Sequence, residues 1–105
     1  MILFNGDLAY GLECVGCKVL HVNSAEAALS HLRNGHRIDL VITDIDLGGA
    51  LNGWDLAESF RNAHPKIPVI YVSGNPFQPG RQVQDSVLVR KPFALADILK
   101  AIPPA

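Results

Sequence analysis

Short apolar runs alternate with amphipathic stretches along most of the chain, and this pattern predicts strands alternating with helices. Residues 38–42 and 67–72 are almost continuously apolar, as expected for strands that are covered on both faces of a parallel sheet. Residues 18–22 alternate between apolar and polar positions, and residues 86–90 form another β-branched run. The chain after residue 17 is therefore predicted to contain four strands.

Three stretches have the apolar spacing of amphipathic helices. They begin after Ser24, near Trp54 and near Leu95. Residues 74–84 contain prolines and glycines, which predict a loop with at most a short, irregular helix. The alternation of strand and helix predicts a doubly wound parallel sheet with right-handed crossovers. Because no linker or repeat interrupts this order, residues 1–105 are expected to form a single domain.

The first fifteen residues allow two interpretations. Read as a helix, residues 2–15 place four apolar side chains on one face, namely Phe4, Leu8, Leu12 and Val15. Alternatively, Met1–Phe4 is a strand, followed by Asn5, Asp7 and a short helix. In the helical case the sheet lacks an inner strand, which would leave backbone groups unpaired. The gap would then be closed by direct pairing of the flanking strands or by a second copy, and for this case we expect a strand-sharing homodimer.

The composition is that of one globular domain. Of the 105 residues, 49% are hydrophobic, enough to bury a core without disulfides or metal. The net charge of −1 provides no basic field for nucleic acid or for an anionic membrane surface. No apolar run approaches the roughly 18 residues that span a bilayer. We therefore expect a cytoplasmic protein that binds neither nucleic acid nor membrane directly.

Cysteine, tryptophan and histidine add little chemistry. Cys14 and Cys17 lie near the end of a stretch with helical spacing, whereas a redox C-x-x-C pair opens a helix. Two cysteines also supply only half of a four-ligand zinc site, so both are interpreted as structural. Trp54, in the first turn of a helix, is expected to pack on the neighbouring loop rather than to serve as an exposed anchor for a partner. The four histidines show no spacing typical of a metal or phosphorelay site, and we assign them no role.

Three polar residues each follow a different apolar strand. Asp44, Ser73 and Lys91 are expected at one edge of the sheet, because the carboxyl ends of parallel strands meet there and form the ligand crevice. Phosphoryl transfer to a carboxylate needs a nucleophilic aspartate, a positive charge and a hydroxyl donor. The nucleophile is Asp44, the positive charge is that of Lys91, and the hydroxyl is that of Ser73. The sequence therefore predicts a phosphate-accepting site at Asp44.

The motifs around these residues resemble those of receiver domains of two-component response regulators. They are Asp39–Leu47, Asn52-Gly53, Pro68–Gly74 and Lys91-Pro92-Phe93, and the resemblance covers residues 12–102. It implies an α/β fold, a flavodoxin-like doubly wound parallel sheet, here N-terminally shortened and with an irregular fourth helix. It also implies that Asp44 accepts phosphate, with Mg2+ assistance, from a sensor histidine kinase or a histidine phosphotransfer protein. Ser73 and Lys91 would contact the phosphoryl group.

Two features depart from the family pattern. The family has a pair of acidic residues after its first strand, and no such pair occurs here. A magnesium ion would be left with the Asp44 carboxylate and the Asp46 backbone carbonyl, so we expect weak or absent Mg2+ binding unless Asp7 substitutes. The family's aromatic switch position, three residues before Lys91, is Leu88. A leucine has neither the ring nor the hydroxyl with which that position reports phosphorylation.

These departures leave two alternative functions open. The first is a degenerate receiver that acts as a phosphorylation-independent dimerisation or docking module. The second is enzymatic, because Asp44-Ile45-Asp46 also resembles the D-x-D motif of haloacid-dehalogenase-like phosphatases. The downstream acidic pair and the greater length of that family are absent from the sequence. A receiver that is not an enzyme therefore remains the main prediction.

Overall fold

The computed structural model describes residues 2–5, 18–45, 51–73, 81–90 and 95–102. These residues form five strands: β1 (Ile2–Asn5), β2 (Val19–Val22), β3 (Leu40–Asp44), β4 (Val69–Ser73) and β5 (Val87–Arg90). They also form three helices: α1 (Ala25–Arg33), α2 (Gly53–Ala63) and α3 (Leu95–Ala101). Among the described residues, no helix is long and apolar enough to cross a membrane.

All strand pairs are parallel, and the strand order is β2-β1-β3-β4-β5. This order reverses between β1 and β3, which is the arrangement of a flavodoxin-like doubly wound sheet. The predicted fold class is confirmed. Ligands bind such sheets beyond the carboxyl ends of the strands, next to the point of reversal, and β3 ends there with Asp44.

The N-terminal segment forms the innermost strand rather than a helix. β1 pairs with β2 on one side and with β3 on the other, with Ile2 opposite both Val19 and Leu40. Leu3 and Phe4 are adjacent and are 0% and 3% exposed, which requires an extended segment with both faces covered. The helical interpretation is therefore wrong for residues 2–5.

The inner strand of the sheet thus lies within this chain. The expectation that the first strand is missing was wrong, because β1 pairs on both sides. The strand-sharing homodimer was expected only to fill that gap, so the reason for expecting it is removed. Residues 6–17, with Asp7, Cys14 and Cys17, lie outside the described residues.

The sheet is covered by an apolar layer on each face. One layer lies between the sheet and helices α1 and α2, and its largest fully buried side chains are those of Tyr71 and Phe60. The other contains Phe4, Ile42 and Ile70 from the sheet and Ile98 from α3. Successive residues of β3 and β4 alternate between the two layers, as the continuous apolar runs of the sequence indicated.

Candidate functional site

Asp44 is the last residue of β3, and its side chain is half-buried at the carboxyl edge of the sheet. The strand ladder continues one residue beyond it, because the Ile45 N–H donates to the Val72 carbonyl of β4 at 3.1 Å. The hydroxyl of fully buried Thr43 donates to the Asp44 carbonyl oxygen at 2.9 Å. Backbone bonds on β3 and β4 therefore fix the position of Asp44.

Helix α2 begins directly against this stretch of backbone. The Gly53 N–H donates to the Ile45 carbonyl at 2.8 Å. A Cβ atom at position 53 would overlap the Asp44 carbonyl oxygen and would lie 2.9 Å from Ile45 Cα. The sequence identified Gly53 by resemblance, and the structure supplies the physical reason: only glycine permits this close approach of two backbones.

The first turn of α2 is closed by a capping box. The Asn52 side chain accepts from the Asp55 N–H at 3.0 Å, and the Asp55 carboxylate accepts from the Asn52 N–H at 2.9 Å. Arg81 also donates to Asp55 at 3.0 Å. The hydrogen bond from the Asn52 backbone, followed by the one from Arg81, lowers the pKa of the Asp55 carboxyl. The helix end beside Asp44 therefore depends on an ionised Asp55.

A pH dependence of stability follows from this contact. Because the pKa of Asp55 is lower in the folded than in the unfolded chain, its ionisation stabilises the fold above the ordinary value of 3.8, and this contribution is lost as the pH falls below it. We expect Asp55→Asn to weaken the decline in unfolding free energy below a pH of about 3.8, measured by denaturant unfolding. Glu58→Gln, which also removes a carboxylate bonded to Arg81 but no cap, is the control. Equal acid slopes in Asp55→Asn and the unmodified chain would contradict this role.

Ser73 ends β4, the strand next to β3, and is 6% exposed. Asp44 pairs with Val72 in register, so Ser73 lies one residue beyond Asp44 on the adjacent strand. Arg90, the last residue of β5, pairs with Ser73. The ends of β3, β4 and β5 are thus neighbours at one edge of the sheet. Lys91, which follows Arg90, and Asp46 lie outside the described residues.

Leu88, at the family's switch position, lies on β5 opposite Tyr71. Its half-buried side chain packs in the apolar layer between the sheet and helices α1 and α2.

Tyr71 is fully buried, its ring centroid is 4.7 Å from that of Trp54, and its hydroxyl accepts from the Val83 N–H at 3.1 Å. Burial raises the pKa of the Tyr71 hydroxyl. Trp54 is buried, as predicted, but its ring lies against Tyr71 of β4, whereas the sequence predicted packing on a loop. The hydroxyl contact of Tyr71 was missed, although a tyrosine within a buried strand indicates that its hydroxyl needs a partner.

Residues 81–84, the described part of the predicted loop, contain no helix, and β5 begins at Val87, one residue later than predicted; residues 74–80 lie outside the described residues. Arg81 donates to Asp55 and to Glu58 of α2, each at 3.0 Å. The Ser86 hydroxyl donates to the Val83 carbonyl at 2.7 Å. This irregular segment is therefore tied to the helix that begins beside Asp44.

Two histidines approach each other although their spacing in the sequence indicated no pair. The Nδ1 atoms of His31 and His36 are 2.8 Å apart, and their ring centroids are separated by 4.9 Å. Gly35, with a φ of 76°, reverses the chain between them, which helical spacing cannot show. The described residues contain no cluster of three or more potential metal ligands.

Comparisons with known proteins agree on one family. The family model of the response regulator receiver domain matches residues 7–103. A response regulator receiver protein from Sinorhizobium medicae is 30% identical, with a TM-score of 0.89 over 95% of this chain and 87% of that chain. The signal receiver domain of a histidine kinase from Syntrophus aciditrophicus is 23% identical, with a TM-score of 0.77 over 94% of this chain and 83% of that chain.

A third similar structure contains ligands. It is a response regulator protein from Burkholderia pseudomallei with a phosphorylated aspartic acid, a calcium ion and citrate. It is 24% identical, with a TM-score of 0.77 over 97% of this chain and 65% of that chain. At this identity the likeness is one of fold.

Proposed function

The chain belongs to the response regulator receiver domain family, and from this premise we propose that Asp44 accepts a phosphoryl group in two-component signalling. The observation that carries the proposal is the position of Asp44. Its half-buried carboxylate stands at the carboxyl end of β3, on a backbone held by Thr43, Val72 and the start of α2. A carboxylate in a fixed frame at a ligand-binding edge is suited to nucleophilic attack. The phosphorylated aspartic acid of the Burkholderia pseudomallei protein supports this chemistry on a similar fold.

The proposed donor is a phosphohistidine of a sensor histidine kinase or a histidine phosphotransfer protein. An Asp44 carboxylate oxygen attacks phosphorus, the bond from phosphorus to the imidazole nitrogen breaks, and that nitrogen takes up a proton. The product is an acyl phosphate on Asp44. Ser73 donates a hydrogen bond to a phosphoryl oxygen, and the Lys91 ammonium balances the negative charge. The proposed unit is one receiver-like domain over residues 1–105, acting in the cytoplasm.

Mg2+ would neutralise the charge that gathers on the phosphoryl oxygens. The residues at this edge fit only part of such a site. Asp44 supplies a suitable carboxylate and the Asp46 carbonyl is the second proposed ligand. β1 ends beside Thr43 with Asn5, which carries no negative charge where the family has an acidic pair. Asp7 follows two residues later in the sequence.

Magnesium affinity should depend on Asp7. We expect Asp7→Asn to weaken Mg2+ binding by about tenfold, because it removes one of few carboxylates available to the ion. Calorimetric titration with Mg2+ measures the effect. Asp85→Asn is the matched control: it makes the same charge change next to the amino end of β5, at a φ of 57° that asparagine tolerates. Equal affinities in the two variants would show that Asp7 takes no part in metal binding.

A specific observation favours a second candidate, a degenerate receiver that docks or dimerises without phosphate. β1 ends in Asn5, and Leu88 has no ring or hydroxyl at the family's switch position. Both departures weaken phosphate-dependent signalling more than they weaken the fold.

Incubation with Mg2+ and acetyl phosphate distinguishes these functions. An active receiver gains the mass of one phosphoryl group per chain and retains it after acetyl phosphate is removed. A degenerate receiver gains none. Release of many equivalents of inorganic phosphate per chain would instead indicate a phosphatase. We expect the single stable adduct, measured by intact mass spectrometry and a phosphate-release assay on the same sample.

A further inference from the structure

The carboxyl end of helix α1 is closed by backbone hydrogen bonds around a glycine. After Asn34, the last cap residue, Gly35 has a φ of 76° and its N–H donates to the Leu32 carbonyl at 3.2 Å. The His36 N–H donates to the His31 carbonyl at 3.3 Å. These are the two hydrogen bonds of the Schellman motif, with glycine in its left-handed position. The backbone therefore fixes His31 and His36 relative to each other.

The side chains at these two positions of a Schellman motif commonly touch, and the contact is usually apolar. Here both side chains are imidazoles, and their Nδ1 atoms are 2.8 Å apart. The ring centroids are 4.9 Å apart, so the rings approach through their nitrogen atoms and do not stack. His31 is half-buried and His36 is exposed, which leaves the pair open to solvent. The helix end thus presents two nitrogen ligands that its backbone holds together.

The separation of the two nitrogen atoms suits a metal ion whose neighbouring ligands stand at right angles. With metal–nitrogen bonds of about 2.05 Å, atoms 2.8 Å apart subtend an angle of about 86° at the metal. Square-planar and tetragonal nitrogen and oxygen sites are typical of Cu2+ and Ni2+. A tetrahedral Zn2+ ion would require nitrogen atoms about 3.3 Å apart. The pair is therefore spaced for Cu2+ or Ni2+ more closely than for Zn2+.

The charges near the pair disfavour metals that bind only through oxygen. Lys18 and Arg37 line the same cavity as His36, and Arg33 lies in the last turn of α1. Arg37 is 89% exposed and paired with Asp39 at 3.2 Å, so its charge is balanced and screened by water. Mg2+ and Ca2+ need several oxygen ligands, which the two imidazoles do not supply. Cu2+ and Ni2+ bind imidazole nitrogen directly and depend less on local negative charge.

We propose that His31 and His36 form a binding site for a divalent transition metal, Cu2+ or Ni2+, held by both Nδ1 atoms and completed by water. Where no metal is bound, one Nδ1–H donates to the other Nδ1. On binding, that proton moves to Nε2 of the same ring through solvent, so both Nδ1 lone pairs face the metal. His36 precedes β3, which spans about 13 Å to Asp44 at its other end. The metal site is therefore separate from the proposed function of Asp44.

The test is titration of the full chain, free of any affinity tag, with Ni2+, followed by NMR of the histidine rings. Ni2+ is the probe because Cu2+ oxidises thiols, and the chain contains Cys14 and Cys17. Ni2+ with water ligands is paramagnetic and broadens the signals of nuclei close to it. We expect the ring signals of His31 and His36 to broaden first, before those of the other two histidines. Mg2+ at the same concentration should leave these signals unchanged.

Two variants measure the contribution of each ring. His31→Gln and His36→Gln should each weaken Ni2+ binding by at least about tenfold in calorimetric titration, because each leaves a single nitrogen ligand. His36→Gln changes an exposed side chain, so it gives a reading even if His31→Gln does not fold. Because the unfolded chain lacks the helix end, Ni2+ at ten times its Kd should also raise the Tm by about 6 °C. Both variants should lose this rise.

His64→Gln is the matched control, because it removes an exposed imidazole at the end of α2 and should leave Ni2+ affinity unchanged. Equal affinities in His36→Gln and His64→Gln would overturn the proposed site. Broadening of the His64 ring at the same Ni2+ concentration as the His31 and His36 rings would also overturn it. Ni2+ binding that persists at full strength in both test variants would place the ion elsewhere, for example on the cysteines.

Discussion

Gly53→Ala is expected to destabilise the fold by about 3 kcal/mol, the upper end of the usual cost of overpacking. The added methyl group would overlap the Asp44 carbonyl oxygen and crowd Ile45 Cα, and these are backbone atoms that cannot turn aside. The start of α2 must then move away from β3, which also breaks the Gly53–Ile45 hydrogen bond. Denaturant unfolding measures the loss of stability. We further expect the displaced α2 to lower the rate at which Asp44 takes up phosphate.

Gly35→Ala is the control for Gly53→Ala. Gly35 has a φ of 76°, and no atom outside residues 34–36 lies within 4 Å of the place where its Cβ would be. Alanine there costs only the left-handed backbone conformation, about 1 kcal/mol. If Gly53→Ala were no more destabilising than Gly35→Ala, the close approach of α2 to Asp44 would not be a feature of the folded chain.

Asp44→Asn is expected to reduce phosphate uptake from acetyl phosphate by at least about a hundredfold, to below detection. An amide cannot form the acyl phosphate, because it lacks the nucleophilic carboxylate oxygens. The fold should be unaffected to within about 0.5 kcal/mol, since the side chain is half-exposed and asparagine has the same shape. Asp39→Asn makes the same change at the exposed position before β3 and should retain full uptake. Uptake by Asp44→Asn at the level of the unmodified chain would exclude Asp44 as the acceptor.

Most of the sheet could be predicted from local pattern. The strands β3 and β4 are buried on both faces, so residues 40–42 and 69–72 are apolar without interruption, and this signal does not depend on distant contacts. The doubly wound parallel sheet then followed from the alternation of strands and helices, because parallel strands are joined by right-handed helical crossovers.

The sequence did not decide whether residues 2–5 form a strand or part of a helix. Phe4 belongs both to a helical spacing that continues to Leu8 and Leu12 and to a short apolar strand. The choice is made by pairing with β2 and β3, whose residues lie far along the chain. Local periodicity carries no information about such pairing.

In the candidate site too, local features could be predicted from the sequence and long-range contacts could not. The position of Asp44 after an apolar strand was visible in the sequence, as was the glycine that opens α2. The contacts that tie the 81–86 segment to this edge span 12 residues between Tyr71 and Val83 and 26 between Asp55 and Arg81. No local pattern predicts contacts at these separations, and only the parallel packing of β3, β4 and α2 brings the residues together.

The identity of the phosphorylated residue tests the proposed role of Asp44 most directly. The chain is incubated with Mg2+ and acetyl phosphate, the acyl phosphate is reduced with borohydride to homoserine, and the altered residue is located by peptide mass spectrometry. We expect a single altered residue, at position 44. Modification at another aspartate, such as Asp46 or Asp55, or no modification in a chain that remains folded, would contradict the assignment of Asp44 as the phosphate acceptor.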